Sequence, residues 1–263
     1  DPAVDRSTLA EGLRKLGGLF RVKGRYAEAE SLYRRSLAIQ QEGGGPETAR
    51  LGRTIGGLGA TYMETGRFPE ADSLLHAELA IMERQLGPDD PEVASTLSNL
   101  GALYWLQNKF ADAQPYFERA IASREKVLGA DHPDLADALS NLGATYYMVG
   151  QYDQAIAAYQ RTRRIWEATL PPEHPKMASL WNNLAETYWV KKDYREAETY
   201  FTRALVLKEK LYLPSHPSIS VTLRGLANVY RDEARYQAAE PLYRRALAIQ
   251  EATFGREHAA VAE

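Results

Sequence analysis

The chain has 263 residues, 44% of them apolar and 25% charged, which places it among soluble, folded proteins with material for a core. Its 32 basic and 35 acidic side chains leave a formal net charge of −3, which argues against a general binder of phosphate backbone, so nucleic acid is not an expected partner. The absence of cysteine excludes disulfides, thiolate zinc sites and cysteine nucleophiles and suits a reducing compartment such as the cytoplasm, while no apolar run approaches the roughly 18 residues a membrane span needs.

The chain repeats itself. A Leu-Gly or Leu-Ala pair begins at Leu16, Leu58, Leu100, Leu142, Leu184 and Leu226, a step of 42 residues each time (58 − 16 = 42). The same step carries an aromatic residue at Tyr26, Phe68, Phe110, Tyr152, Tyr194 and Tyr236, and alanine at Ala29, Ala71, Ala113, Ala155, Ala197 and Ala239. Three columns in one register predict six tandem units, approximately 1–45, 46–89, 90–131, 132–173, 174–215 and 216–257, forming a single domain over 1–263.

In the first unit, Gly43-Gly44-Gly45-Pro46 stands where later units carry Leu-Gly-x-Asp-His-Pro, which predicts a looser joint to the second. The second holds Gly56-Gly57-Leu58-Gly59, the nearest approach to a phosphate loop, but the run falls inside a predicted helix and lacks a lysine. The third shows the pattern most plainly. Val93, Leu97, Leu100 and Tyr104 follow the i, i+4, i+7, i+11 spacing of one helical face; after a turn at Gln107-Asn108-Lys109, a second stripe of Ala113, Phe117, Ala120 and Val127 runs to Leu128-Gly129. Small residues at Gly59, Gly101, Gly143, Ala185 and Ala227 let the two helices of a unit approach closely. The fourth unit opens at Asp131-His132-Pro133, where proline suits a first helical turn and keeps the residue before it out of the helix; the fifth and sixth open alike at His174-Pro175 and His216-Pro217. Phe254-Gly255-Arg256-Glu257-His258 starts a seventh unit, and the chain ends at Glu263. Stacked repeats need a polar cap on the last apolar face, so the expectation is a fragment of a longer protein, or else self-association through that bare end.

The stretches Leu97-x2-Leu100-Gly101-x2-Tyr104 with Ala113-x3-Phe117, and Trp181-x2-Leu184-Ala185-x2-Tyr188 with Ala197-x3-Phe201, resemble the tetratricopeptide repeat. The unit is eight residues longer than the usual 34 (42 − 34 = 8), and this long form is similar to the kinesin light chain type. The resemblance implies an all-α, right-handed superhelical solenoid of antiparallel helix pairs that serves as a protein–protein interaction scaffold, with no cofactor and no enzymatic role. It does not name the partner. A different class of function stays open beside it: a spacer or sensor arm that contacts other domains of a larger signalling protein, or copies of itself.

At 100° per residue, Ser95, Ser98, Ala102 and Trp105 lie opposite the core stripe of the first helix. In the family that side lines a concave, peptide-binding groove. One column there is Asn99, Asn141 and Asn183, whose amides offer donors and an acceptor to an extended peptide backbone; the alternative is a solvated or locally bonded asparagine. A second column runs Met63, Trp105, Tyr147, Trp189 and Arg231; these side chains are either anchors for a ligand or packing against the next repeat. Arg53, Arg224 and Arg231 add positive charge towards the groove ends, Asp137 and Glu186 make its middle more acidic, and ligand charge is undecided. Arg224 with Asn228 matches one piece of the basic clamp some relatives use for a carboxylate terminus, and the rest of that clamp is missing.

Two further columns are read as structural. His132, His174, His216 and His258 cannot share one metal, because equivalent atoms of stacked helices sit about 8 to 10 Å apart whereas zinc ligands lie about 2 Å from the ion; with Asp90 at the equivalent place they are expected to cap helices. Arg35, Arg119, Arg161, Arg203 and Arg245 point away from the second helix's core, to be paired with acids such as Glu118 or to meet an acidic partner. No nucleotide-loop, nucleophile-elbow or zinc-protease motif occurs, so neither catalysis nor a metal is expected.

Overall fold

The computed structural model describes residues 2–42 and 48–255. Its helices are α1 (Pro2–Val22), α2 (Tyr26–Glu42), α3 (Ala49–Glu64), α4 (Phe68–Leu86), α5 (Pro91–Leu106), α6 (Phe110–Leu128), α7 (Ala136–Met148), α8 (Tyr152–Thr169), α9 (Pro175–Val190), α10 (Tyr194–Leu211), α11 (Pro217–Asp232) and α12 (Tyr236–Phe254), with a 3-10 turn at Pro133–Leu135 before α7. Among the described residues there is no strand. The Gly43-Gly44-Gly45-Pro46 joint and the Arg256-Glu257-His258 start of a seventh unit lie outside them.

Each odd-numbered helix, here helix A, packs on the helix that follows it, helix B. The pairs gather into two compact units, residues 1–130 and 131–263. The first is built around Leu58, Leu75, Met82, Val93, Leu97, Leu100 and Leu103. In the second, Leu180, Leu184, Phe201, Ile219 and Leu223 are withdrawn from solvent. Full burial of such a side chain stabilises by about 1.5 to 3 kcal/mol.

The A-to-B turn recurs because one backbone geometry recurs. Gly24, Gly66, Asn108, Gly150, Lys192 and Ala234 all have positive φ. The next amides, of Arg25, Arg67, Lys109, Gln151, Asp193 and Arg235, donate to the carbonyls of Phe20, Tyr62, Tyr104, Tyr146, Tyr188 and Tyr230, which is the Schellman closure of a helix. Where the residue after the turn is arginine its guanidinium lies over that ring, 4.2 Å from Phe20, 3.8 Å from Tyr62 and 4.1 Å from Tyr230.

The other junction, from B to the next A, is set by caps. Asp90 accepts the Glu92 amide at 2.8 Å, and His132, His174 and His216 accept the amides of Asp134, Lys176 and Ser218 through Nδ1, each at 3.2 Å. Successive pairs are also latched through tyrosine: Tyr62, Tyr104 and Tyr230 donate their hydroxyls to Glu30, Asp72 and Glu198 of the preceding B helix, all at 2.8 Å. Arg67 and Arg235 join Glu30 and Glu198 at 3.2 and 2.7 Å.

The B-helix stripe ends sooner than its periodicity predicts. Ala113 and Ala120 are buried, but Val127 is 57% exposed. Phe117 lies against Gly101 in the antiparallel partner. Val127 is the last residue but one of α6, at the end of the helix pair.

Candidate functional site

The asparagine column lies on the A helices beside their buried stripe, at positions that also meet the preceding B helix. Asn99 and Asn183 are half-buried and Asn141 is exposed. Among the described residues none of the three side-chain amides has a hydrogen-bond partner in the protein. Their neighbours are different. Asn182 Oδ1 accepts the Thr222 hydroxyl and its Nδ2 donates to Glu186, both at 2.9 Å, and Asn228 Oδ1 accepts the Tyr243 hydroxyl at 2.5 Å. Asn228 is thus occupied inside its own repeat.

The row is interrupted for a packing reason. In the second unit, the Tyr159 ring lies on Gly143 of its own A helix, where an added Cβ would fall 2.6 Å from it, and the next A helix carries Asn183. Phe201 lies against the next A helix and would meet a Cβ at Gly225 at 2.5 Å. The position that is Asn183 in one repeat is therefore forced to be Gly225 in the next. Tyr33 imposes the same on Gly57 in the first unit, at 2.4 Å.

The aromatic column is half-buried and makes contacts of a kind its spacing does not disclose. Trp105 and Tyr147 lean edge-on against Phe110 and Tyr152, the first residues of their own B helices, at 4.6 and 5.8 Å. Trp189 donates its indole N–H to Asp232 of α11 at 2.9 Å, and Asp232 also holds Arg231 at 2.8 Å. Next to these rings lies a column that sequence reasoning missed although its spacing is the same 42 residues: Leu106, Met148 and Val190, 53%, 48% and 36% exposed.

Most charges beside this face are already neutralised. Arg53 pairs with Glu92 and Asp137 with Lys176, both at 2.6 Å. Burial pushes the Glu186 carboxyl above its usual range, against the Asn182 hydrogen bond and the fields of Lys208 and Arg224. Lys208 is itself buried, which lowers its pKa; it donates to Thr222 Oγ1 at 2.7 Å and to the Ser218 carbonyl at 3.1 Å.

On the outer surface, Arg119 and Arg245 pair with Glu83 and Glu209 of the preceding B helices, and Arg203 lies 5.9 Å from the Tyr200 ring. The pairing acid for Arg119 is thus Glu83, one repeat back, instead of the adjacent Glu118. A concavity of about 330 Å³ on this side of the second unit is lined by Pro172, Glu173, Trp181, Val206, Leu207 and Lys210. Among the described residues no group of His, Asp or Glu could hold a metal ion, and no helix is long and apolar enough to cross a membrane.

A model of the tetratricopeptide repeat family matches residues 8–71, 50–126, 112–168 and 176–262. Among solved structures, a Podosopora anserina putative kinesin light chain with nearly identical TPR-like repeats is 26% identical, covers 78% of this chain and 97% of its own, and superposes with a TM-score of 0.66. BtubC (BKLC) from P. vanneervenii, 21% identical over 96% of this chain and 91% of its own, and pilF of Pseudomonas aeruginosa, 16% identical over 95% and 94%, share the fold with TM-scores of 0.68 and 0.64. No curated protein matches the chain significantly in sequence. The 42-residue helix pairs, the family match along nearly the whole sequence and the kinesin light chain-like structural neighbours agree: the chain belongs to the tetratricopeptide repeat family.

Proposed function

We propose that the chain is a protein-interaction scaffold whose A-helix face holds an extended segment of a partner protein. The family fold is a general protein–protein interaction scaffold, and the finer assignment rests on one observation in particular: the amides of Asn99, Asn141 and Asn183 are accessible at least in part and have no partner among the described residues. An extended backbone presents one N–H and one C=O per residue, and an asparagine amide can answer both whatever the side chains are. Asn99 with Trp105 and Leu106 serves the first unit; Asn141 and Asn183 with Tyr147 and Trp189 serve the second. Arg224, Asn228 and Arg231 belong to this face, but with Asn228 held by Tyr243 and Arg231 by Asp232 they are a secondary part of it.

The test is a random-peptide display selection on the parent chain, counter-screened against a combined Asn99→Ala, Asn141→Ala, Asn183→Ala variant. The amides bond to nothing among the described residues, so the variant should melt within about 0.5 kcal/mol of the parent while binding selected peptides at least tenfold more weakly. Equal binding by a folded variant contradicts the assignment.

A second reading, a spacer that self-associates by stacking, has an observation of its own. Leu9, Leu16 and Leu19 are 46%, 40% and 49% exposed on one face of α1, whereas the equivalent Val93, Leu100 and Leu103 are buried. A mass that rises with concentration and reverts in a Leu9→Lys, Leu16→Lys variant would favour it; a concentration-independent mass rejects it.

A further inference from the structure

Among the charges on the A-helix face, Glu186 differs from the rest. Arg53, Asp137 and Arg231 each have a counter-ion on the protein. Among the described residues no basic nitrogen stands at ion-pair distance from Glu186, whose single hydrogen bond comes from Asn182 Nδ2. The buried cation nearest to it in the network is turned elsewhere. Lys208 donates to Thr222, Thr222 donates to Asn182 and Asn182 donates to Glu186, so each link delivers a donor towards the carboxylate and none delivers a second charge. The equivalent positions are Gly18, Ala60, Ala102, Ala144 and Asn228, so the repeat itself does not require an acid here. Lys208 and Arg224 act on Glu186 only as fields that burial outweighs, and a half-buried carboxylate without a direct ion pair is an expensive feature unless something supplies one.

The surroundings define what would supply it. Glu186 lies on α9 one turn before Trp189 and Val190, and its charge is felt by Tyr147 on α7. Met148 and Val190, both exposed, flank these groups on the two helices. We propose that Glu186 is a specificity-determining residue of the second unit, accepting a lysine or arginine side chain of the bound segment while Met148 and Val190 receive apolar side chains on either side. This rests on the partner-binding reading above. Neighbouring helices stand about 8 to 10 Å apart and an extended chain rises about 3.3 Å per residue, so the two apolar residues are three positions apart in the partner, with the basic residue beside the one that meets Val190. The Tyr147 ring adds a cation–π surface for the same basic side chain.

A random-peptide display library selected separately on the parent chain, Glu186→Gln and Glu186→Arg tests this. The parent should enrich lysine or arginine next to an apolar residue in an apolar-x-x-apolar frame. Glu186→Gln, which keeps the Asn182 hydrogen bond, should retain the apolar frame, lose the basic preference and bind the parent's peptides about tenfold or more weakly. Glu186→Arg should turn the preference to aspartate or glutamate. Circular dichroism melts establish that all three are folded. Parent-selected peptides that are acidic or indifferent to charge, or a basic preference that survives in Glu186→Gln, overturn the assignment. If charge-indifferent peptides still lose binding on Asn183→Ala, the scaffold reading stands and the Glu186 assignment alone falls; if no peptide binds the parent, both fall.

Discussion

Asn183 and Gly225 occupy the same place in consecutive repeats, and the ring on the B helix that precedes each decides which is allowed. The Tyr159 ring rests on Gly143. A Gly143→Ala methyl would fall 2.6 Å from a ring carbon, so the ring must shift towards α9. The expected cost is about 1 to 3 kcal/mol in denaturant unfolding, with weaker peptide binding at Asn183; an unchanged midpoint would mean the ring is not held there. Gly101→Leu, against Phe117, should cost more and abolish cooperative melting of its repeat. Glu78 is the other residue whose meaning is local. It is 8% exposed, lies where Gly56 leaves space, and replaces the small Ser36, Ala120, Thr162, Ala204 and Ala246 of the other B helices. Burial raises its carboxyl from 4.5 to about 7, with the charge of Glu92 adding to the rise and the Thr96 hydroxyl opposing it. The folded state therefore binds this proton more tightly than the unfolded chain does. Its contribution, on the order of 3 kcal/mol, is fully present below about pH 4.5 and is lost as pH rises through about 7. Urea unfolding of the parent and of Glu78→Gln at pH 5 and pH 8 should differ by that slope; parallel pH dependence of the two would refute it.

At the scale of elements, the helices were legible in the sequence because every junction has its own chemistry. Proline at positions 91, 133, 175 and 217 with Asp or His before it marks four capped starts, and the structure gives those histidines the capping role their column suggested. His174→Ala should cost about 1 kcal/mol and His174→Asp, which copies Asp90, should not; thermal melts distinguish the two. The A-to-B turns show a cost the sequence conceals. Lys192 and Ala234 adopt the positive φ that glycine takes at residues 24, 66 and 150. Ala234→Gly should stabilise by up to about 1 kcal/mol, and a lowered melting temperature would show that the strain is not there. The face of the site was only half legible. Its columns follow from counting, but whether an amide is unbonded or a charge already paired depends on partners roughly one repeat away, as Arg53 with Glu92 and Trp189 with Asp232 show. Leu106, Met148 and Val190 keep the period, but an apolar column is indistinguishable from core until its exposure is known.

For the whole molecule, the 42-residue step makes the fold legible in the sequence, since columns that never slip over six repeats require one structural unit used again and again. The same repetition explains why function is harder to read. Packing positions recur in every repeat, whereas the proposed binding positions are those where repeats differ: an asparagine in three of them, an unpaired carboxylate in one. Binding energy divided among such modest anchors gives individually small effects, and each compact unit carries anchors of its own. The central claim is that a partner segment lies on the A-helix face and not on the outer surface of the B helices. The most direct measurement places a photo-reactive benzoylphenylalanine at Trp189 in one protein and at Val206, on the outer concavity, in another, and irradiates each with a peptide selected on the parent. The account predicts a crosslinked product from position 189 and none from position 206; crosslinking from 206 with none from 189 would move the site to the outer face and contradict it.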